Sequence, residues 1–401
     1  MVKHPVMGGI GALALALVIA LGAGAPAISA PLDAACLQRI KAQAVKEGVS
    51  RATVDRALAG AAFDEKVRRF ATSQPEYKTP IWDYLAFLVD EERIEDGARM
   101  LRRHEATLAR VQKTYGVDGY IVLAVWGVES DYGQFRGDFH VPHALANLSC
   151  GGRRARYFRS ELIHILKIVD RGDVALADLQ GSWAGAFGQT QFMPSTYRRL
   201  AVDGDGDGKR DLVNSVPDAL ASTANYLKQA GWVNGMPWGY EVKLPAGYSG
   251  PSGRKTRASV SDWGKRGVTH LDGAALKGEA SAGLLLPAGR NGPAFLVFKN
   301  FNAIYSYNVA ESYALAISHL ADRLRGAGPF ATPWPTDDPG LSRAERLQLQ
   351  KLLLRAGYDI GEADGRVGPA TRAGIRQAEA RFGMEVTGRP GRKIYEKLGG
   401  R

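Results

Sequence analysis

Apolar residues recur at three- and four-residue steps through most of the first half of the chain, which predicts helices. The pattern runs from Cys36 to about Tyr115, for example in CLQRIKAQAVKEG and in YLAFLVDEERIEDGARMLRRHEATLARVQKTYG. Ser50, directly before RATVDRALAG, is expected to cap one of these helices. Helical periodicity continues to Gln229 with glycine-rich interruptions. This part of the chain is therefore predicted to be mainly α.

The pattern changes between Gly231 and Phe301. Alternating apolar residues, glycine and proline in WVNGMPWGYEVKLPAGYSG and GLLLPAGRNGPAFLVFKNF indicate short strands and loops. A helix is expected to resume at about Glu311 with SYALAISHLADRLRG. The sequence thus predicts a small β-containing insertion in a helical protein.

The last part of the chain is predicted to be a separate small unit. GAGPFATPWPTDDPG is typical of a proline-rich linker, assigned to residues 327–340. Two helical stretches follow, RAERLQLQKLLLRAG and PATRAGIRQAEARFG, joined by the turn-rich YDIGEADGRVG. Residues 341–401 are expected to form a three-helix domain.

The start of the chain indicates export. Lys3 and His4 precede the apolar stretch GGIGALALALVIALGAGA, and the small-residue segments APA and AISA follow. This order is typical of a secretory signal peptide, assigned to residues 1–30, with cleavage after Ala27 or Ala30. A retained membrane anchor is the alternative.

The chain has two cysteines, Cys36 and Cys150. An even number of cysteines in an exported protein favours a disulfide, and two free buried thiols are the alternative. A lipid anchor on Cys36 is disfavoured, because Asp33 stands where a lipidation signal needs an aliphatic residue.

One acidic residue, Glu129, stands in the otherwise apolar stretch AVWGVESDYGQ. Asp118 can cap a helix that Gly133 ends. The residues that mark its buried face are Ile121, Ala124, Val125 and Val128. Glu129 projects beside that face near the C-terminal end, where desolvation and the helix dipole both raise its pKa. Such a carboxyl group can donate a proton to a leaving oxygen, whereas a glutamate turned into water is the alternative.

A second stretch, GSWAGAFGQTQFMPSTY, combines small residues, aromatic rings and amides. Glycine and alanine let a ligand approach the backbone, rings such as Trp183 stack on sugar faces, and the amides of Gln189 and Gln191 bond to hydroxyl and acetamido groups. This composition favours a glycan-binding segment over a glycine-rich structural turn.

ESDYG followed by GSWAGAFGQTQFMPSTY resembles the lytic murein transglycosylases of the membrane-bound B type, which have a lysozyme-like catalytic core. The resemblance covers roughly Cys36 to Gly326, and residues 31–326 are assigned to the catalytic region. It implies periplasmic cleavage of the β-1,4 bond between N-acetylmuramic acid (MurNAc) and N-acetylglucosamine (GlcNAc) in peptidoglycan, without hydrolysis. Glu129 would act first as acid and then as base, giving a 1,6-anhydro product. A two-carboxylate hydrolase would need a second acid, and Asp131 is expected to point away.

The resemblance also carries over residues that would contact the glycan or line the cleft. They are Ser182, Gln191, Arg153, Arg154, Tyr307, Asn308 and Tyr313. For the two arginines, a solvated surface is the alternative.

DGDGDGKRDLVN, residues 203–214, follows the EF-hand calcium pattern, with glycine at its sixth position. It departs from that pattern at Arg210 and at Asn214, where the bidentate glutamate is missing. The expected ligands, including a later carboxylate, are Asp203, Asp205, Asp207, Lys209, Asp211 and Asp218. The expectation is a structural Ca²⁺, with a solvated acidic turn as the alternative and no cofactor required for the chemistry. His140 and His143 lack zinc-site spacing.

The C-terminal unit resembles the small peptidoglycan-binding domain of bacterial wall enzymes, through LQ, the pair Gly357 and Tyr358, and DGRVGPAT. Ala378 and Glu379 replace the usual Phe-Gln. The 13 Lys and Arg minus 7 Asp and Glu of residues 341–401 give +6. On a flexible linker this unit would hold an enzyme near its polymer. A structural cap on the core is the alternative.

The whole chain carries a net charge of +11, which suits a polyanionic partner. No nucleic-acid-binding motif is present, so peptidoglycan glycan strands are the expected partner, with no stable membrane span in the mature chain. Two rival functions remain: a muramidase that hydrolyses the same bond, and a wall-binding protein without chemistry.

Overall fold

A computed structural model describes residues 32–72 and 79–400. The predicted signal peptide, residues 1–30, lies outside this described part. Within it, no helix combines the length and apolar character that a membrane crossing requires.

The first part of the chain is helical, as the spacing of apolar residues predicts. Its helices are α1 (Ala34–Lys46), α2 (Arg51–Ala57), α3 (Glu65–Thr72), α4 (Ile81–Leu88), α5 (Glu91–Arg103), α6 (Glu105–Tyr115), α7 (Gly119–Ser130), α8 (Val141–Ser149), α9 (Ala155–Arg171), α10 (Pro194–Leu200), α11 (Val216–Gln229), α12 (Val260–Lys265), α13 (Lys299–Asn308) and α14 (Glu311–Leu324). Ser50 caps α2 as expected, because its hydroxyl accepts the N–H of Thr53 at 3.2 Å.

Helix α7 lies at the centre of the larger hydrophobic core. Its residues from Ile121 to Gly127 are all buried, and α5, α6, α11 and α14 pack around it. A helix that is apolar on every side can be stable only when neighbours cover all of it. The position of α7 therefore follows from its composition.

A second core joins α1, α2, α8, α9 and α10. The predicted disulfide is confirmed here: Cys36 in α1 is bonded to Cys150 at the end of α8, with 5.7 Å between their Cα atoms. The bond ties the start of the described chain to the turn that carries Arg153 and Arg154.

The predicted β-containing insertion is also confirmed. A two-residue pair, β1 (Phe139–His140) with β2 (Gln180–Gly181), precedes the main sheet. The strands of that sheet are β3 (Gly239–Val242), β4 (Gly253–Ser259), β5 (Ser281–Leu285) and β6 (Ala294–Val297). They are antiparallel in the order β3-β6-β5-β4 and surround a small core that contains Trp263.

The C-terminal unit contains the three expected helices, α15 (Arg343–Arg355), α16 (Pro369–Arg381) and α17 (Arg392–Lys397). The Gln350 side chain accepts the N–H groups of Asp364 and Gly365 and donates to the carbonyl of Arg366. The LQ and DGRVGPAT motifs are therefore joined by hydrogen bonds. Glu379, which replaces the usual glutamine, is buried and accepts the N–H groups of Thr387 and Gly388 at 2.7 Å. Its role in this fold is structural.

Residues 327–340, expected to be a flexible linker, instead pack along the first part of the chain. The Phe330 ring stacks on His319 with 3.8 Å between centroids and meets Phe295 edge-on. Glu241 in β3 accepts the N–H groups of Ala331 and Thr332, each at 2.8 Å. These aromatic contacts and paired backbone groups hold the segment in place. The composition of residues 327–340 does not predict this packing, because it carries no information about the surface on which the segment docks.

The C-terminal unit is itself docked on helices α4 and α5. Arg389 binds Asp83 through two guanidinium nitrogens at 2.5 and 2.6 Å. The N–H of Ala344 donates to Glu92 at 2.9 Å. These contacts are those expected of a structural cap on the core.

The disulfide should contribute substantially to stability. Replacing both Cys36 and Cys150 by Ala should lower the free energy of unfolding by about 2 to 5 kcal/mol, since the bond closes a long loop in the unfolded chain. Urea unfolding of the oxidised wild type and the double variant measures the difference. Equal unfolding midpoints for the two proteins would contradict this expectation.

Candidate active site

Glu129 is the charged residue of α7, one residue before the helix ends. Asp118 caps the helix as expected, accepting the N–H of Tyr120 at 2.9 Å. The helix ends at Ser130 and not at Gly133, because Asp131 already adopts a left-handed conformation with φ of 54°. The Ser130 hydroxyl accepts the N–H of Gly133 and donates to the Gln189 carbonyl, which fixes this early end.

The Glu129 carboxyl group lies among tyrosines. The Tyr313 hydroxyl, from α14, donates to Glu129 Oε1 at 2.5 Å. The rings of Tyr313 and Tyr307 are stacked at 6.2 Å with an interplanar angle of 12°. Tyr226 from α11 lies 4.7 Å from Tyr307, between ring centroids. Three helices thus deliver phenol rings to one side of the carboxyl group.

This setting determines the charge state of Glu129. Burial removes hydration from the carboxylate and raises its pKa to about 7, although the hydrogen bond from Tyr313 opposes the shift in part. The pKa of Tyr313 is raised well above its usual range by burial and by the nearby Glu129 charge, so its hydroxyl remains a proton-bearing donor. Near neutral pH Glu129 can therefore hold a proton or release it.

Asp131 takes no part in this cluster. Its two carboxylate oxygens accept from Arg343 at 2.8 and 2.9 Å, and Arg93 lies 3.5 Å away. Among the described residues, no acidic side chain contributes to the pKa shift of Glu129. The site accordingly presents one carboxyl group and no paired second one.

The second predicted stretch folds into a turn beside the first. Single-residue bridges join Gly181 to Phe187 and Phe187 to Phe192. The Thr190 carbonyl accepts from the Tyr307 hydroxyl at 2.7 Å, while the Gln189 carbonyl binds Ser130. The two motifs that are most distinctive in the sequence therefore meet at Glu129.

Two of the predicted glycan-contacting residues, Ser182 and Gln191, lie within this turn. Ser182 accepts the N–H of Ala186 at 3.0 Å inside the turn. The Gln191 amide donates to the carbonyls of Gly188 and Arg136 at 2.9 and 3.0 Å, and Gln191 has a φ of 50°. Both side chains help to shape the turn, which is a role that composition did not indicate.

Asn308, Arg153 and Arg154 are exposed, and Asn308 directly follows Tyr307 of the tyrosine cluster. Asn308 ends α13. The Arg154 guanidinium lies 4.6 Å from the Tyr157 ring centre in α9. Within the described residues, neither arginine makes a hydrogen bond or ion pair with Glu129. Of the predicted residues, Tyr307 and Tyr313 are those that the structure brings to Glu129.

Two further neighbours of the site are not predicted by any pattern in the sequence. Tyr84 in α4 lies close enough to affect the pKa of Tyr313, and the Thr190 carbonyl holds Tyr307. Tyr84 stands in an apolar helix without any motif, and a backbone carbonyl leaves no trace in composition. The packing of α4 against α14, and of the turn against the end of α7, identifies them.

The acidic loop brings together three of its predicted ligands. Carboxylate oxygens of Asp203, Asp205 and Asp218 all lie within 4.8 Å of one another. Asp207 and Asp211 are outside this group, and each accepts backbone N–H groups of its own turn. A cluster made of carboxylate oxygens fits a hard cation such as Ca²⁺.

Within the described residues, the acidic group above is the cluster whose spacing could hold a metal ion, and His140 and His143 are not part of it. The rings of His140 and His143 meet edge-on at 4.3 Å. Burial, followed by the neighbouring His143, lowers the pKa of His140 to about 4.

Comparison with known families decides the assignment. Residues 33–322 match the family model of the transglycosylase SLT domain, and residues 342–398 match that of a peptidoglycan-binding domain. The chain belongs to the lytic transglycosylases of the B type. The resemblance seen in the sequence is thereby confirmed, as are the class of enzyme and the lysozyme-like fold.

This transglycosylase is similar to several characterised proteins. It is 36% identical to membrane-bound lytic murein transglycosylase B of Escherichia coli over 244 residues, which are 59% of this chain and 65% of that relative. The chain thus spans under two thirds of that relative's length.

Solved structures show the same fold. SltB3 from Pseudomonas aeruginosa in complex with NAG-anhNAM-pentapeptide is 43% identical, with a TM-score of 0.73 over 90% of this transglycosylase and 98% of that chain. E. coli lytic transglycosylase Slt35 in complex with calcium is 30% identical, with a TM-score of 0.65 over 74% and 96% of the two chains.

The tyrosine contact should hold the pKa of Glu129 below the value that burial alone would give. Because the hydrogen bond from Tyr313 stabilises the charged carboxylate, Tyr313→Phe should move the pKa of Glu129 upwards from about 7. The carboxyl group would then stay protonated to higher pH. NMR titration of the labelled Glu129 carboxyl carbon measures both proteins, and a pKa in the variant at or below the wild-type value would contradict the assignment.

Proposed function

We propose that the protein cleaves the β-1,4 bond between MurNAc and GlcNAc in peptidoglycan without hydrolysis, leaving 1,6-anhydroMurNAc ends. The observation that carries this proposal is the single carboxyl group of Glu129, with a pKa of about 7 and no acidic partner among the described residues. If one residue both donates and accepts the proton in a reaction, its pKa must lie near the working pH. The P. aeruginosa structure, which holds an anhydro sugar, supports the same product class.

The proton balance of the reaction requires only Glu129. The protonated carboxyl group gives its proton to the glycosidic oxygen as the bond from C1 to that oxygen breaks. The resulting carboxylate then removes the proton from the muramoyl 6-hydroxyl, and O6 bonds to C1. Water is neither consumed nor released, and Glu129 ends protonated as it began.

Tyr313 would assist at the charged stage. When Glu129 has lost its proton, the Tyr313 hydroxyl already stands 2.5 Å from Oε1 and stabilises the carboxylate. Tyr307 is held in turn by the Thr190 carbonyl and supports the Tyr313 ring. Ser182, Gln191, Arg153, Arg154 and Asn308 are proposed to contact the glycan or its peptide, Ser182 and Gln191 through the turn that they shape.

Two further features support a site of action in the periplasm and binding of the C-terminal domain to the wall. A disulfide forms in an oxidising compartment, which together with the bacterial relatives supports the periplasm as the site of action. The C-terminal domain, with its +6 charge, would bind peptidoglycan next to the catalytic cleft.

A muramidase is the second candidate. It would use water in place of the 6-hydroxyl, and such enzymes generally need a second carboxylate as base or nucleophile. The binding of Asp131 to Arg343 leaves that position unfilled. The products of the two reactions differ by one water molecule.

Replacing Glu129 by Gln keeps the size of the side chain and removes the titrating proton. We expect a loss of activity of about 10²- to 10⁴-fold. Mass spectrometry of muropeptides released from purified peptidoglycan should show a wild-type product about 18 Da lighter than the hydrolytic one.

Glu105→Gln, at the exposed start of α6, is the matched control and should retain activity. Reducing-end products from the wild type would establish a muramidase. Wall binding by a folded wild type that releases no product would establish a protein without chemistry.

We also propose that the acidic loop binds a structural Ca²⁺ through Asp203, Asp205 and Asp218. The E. coli structure in complex with calcium supports the same ion. The ion would pin the segment that follows α10 to the start of α11, where Asp218 is buried. It would take no part in the proton transfers.

Calcium should therefore raise the melting temperature of the wild type relative to chelator. At a calcium concentration of 100 times Kd, the stabilisation is about 2.7 kcal/mol. Asp205→Asn should abolish the shift, whereas Asp207→Asn, outside the converging group, should retain most of it. The same melting temperature for the wild type in calcium and in chelator would exclude the site.

A further inference from the structure

The loop that directly follows Glu129 has an unusual backbone. Asp131, Tyr132 and Gly133 adopt left-handed conformations in succession, with φ of 54°, 57° and 84°. The first two carry side chains, for which this region is disfavoured. Such a conformation persists only where surrounding contacts over-determine it.

Tyr132 is held from within the catalytic region. Its hydroxyl donates to the Arg93 carbonyl at 3.0 Å, and its ring lies against Gly97 of α5 and Gly127 of α7. A Cβ atom at Gly127 would lie 2.6 Å from the ring, so the glycine makes room for it. This contact fixes the middle of the loop but not its first residue.

The Asp131 side chain is held chiefly from outside the catalytic region. Arg343, the first residue of α15 in the C-terminal domain, donates to both of its carboxylate oxygens at 2.8 and 2.9 Å. The second cation, Arg93, lies 3.5 Å from Asp131 and donates at 3.2 Å to the Gly127 carbonyl. A bidentate guanidinium pair fixes direction as well as distance.

The loop is not packed all round. A pocket of about 560 Å³ borders Tyr132, Gly133 and Gln134. An open space of this size provides no packing against a displacement of the backbone. Packing does not hold the loop where it borders this pocket, and the position of the Asp131 side chain depends chiefly on Arg343.

We propose that Arg343 is a positioning residue of the reaction: it holds Asp131 and thereby the loop that sets the direction of Glu129. This inference rests on the proposed function for its kinetic readout. It assigns the C-terminal domain a role in catalysis that is separate from wall binding. A shift of about 1 Å in a catalytic group can reduce the rate up to about a hundred-fold.

The test uses the full-length protein with a soluble glycan substrate. Arg343→Ala should lower kcat by about ten-fold or more, with a smaller change in KM. Arg343→Lys keeps the charge but not the bidentate geometry, and its kcat should be partly restored. Asp131→Asn should reproduce the loss, and the Arg343→Ala/Asp131→Asn double variant should be no worse than either single variant.

Arg389→Ala is the matched control, because Arg389 joins the same domain to Asp83 and does not contact the loop. It should keep wild-type kcat. If Arg389→Ala lowers kcat as much as Arg343→Ala, docking in general is responsible and the proposal is wrong. A kcat for Arg343→Ala within two-fold of the wild type would overturn it as well.

Hydrogen exchange tests the brace independently of activity. The N–H groups of Asp131, Tyr132 and Phe135 donate to backbone carbonyls of α7. Their exchange should accelerate in Arg343→Ala and in Arg343→Lys, while exchange in α9 stays unchanged. If exchange in the loop is unchanged in these variants, Arg343 does not hold the loop and this inference is wrong, whatever product the wild type forms. If the wild type forms no anhydro sugar, only the proposed function is wrong. If Arg343→Ala does not fold, the Lys and Asp131→Asn variants decide the question.

Discussion

The partial burial of one carboxyl group between α7 and α14 is the constraint on which the rest of the structure depends. Moving the pKa of Glu129 from 4.5 to about 7 corresponds to about 3 kcal/mol against its charged form. That preference requires an apolar helix at the centre of the core. The site also requires Tyr313, 184 residues further along the chain, to reach the same point, where its hydrogen bond offsets part of the shift. The packing of α5, α6 and α11 around α7 maintains both conditions.

Much of the fold could be predicted because its signals are local. The Ser50 and Asp118 caps depend on the next three residues, and the two cysteines leave only one possible pair. The change of periodicity after Gln229 marks the sheet. The unusual position of Glu129 was visible for the same reason: its apolar neighbours stand beside it in the sequence.

The rest of the site depends on contacts between distant segments. Tyr313 was expected through family resemblance, but its bond to Glu129 depends on how α14 lies against α7. Gln191 was expected to face the glycan, whereas its amide binds two backbone carbonyls. The segment around Phe330 has the composition of a linker, and only the aromatic surface that receives it makes it part of the core. No pattern within a short stretch of sequence predicts these contacts between distant segments.

The ring of Tyr132 has a consequence for how this sequence can vary. Its space is provided by Gly97 and Gly127, each within a helix, where glycine costs about 1 kcal/mol relative to alanine. A change to alanine at either position would favour the helix and displace the ring. Selection on helix stability and selection on the active site therefore act in opposite directions at these two positions, although Gly97 lies in a different helix from Glu129.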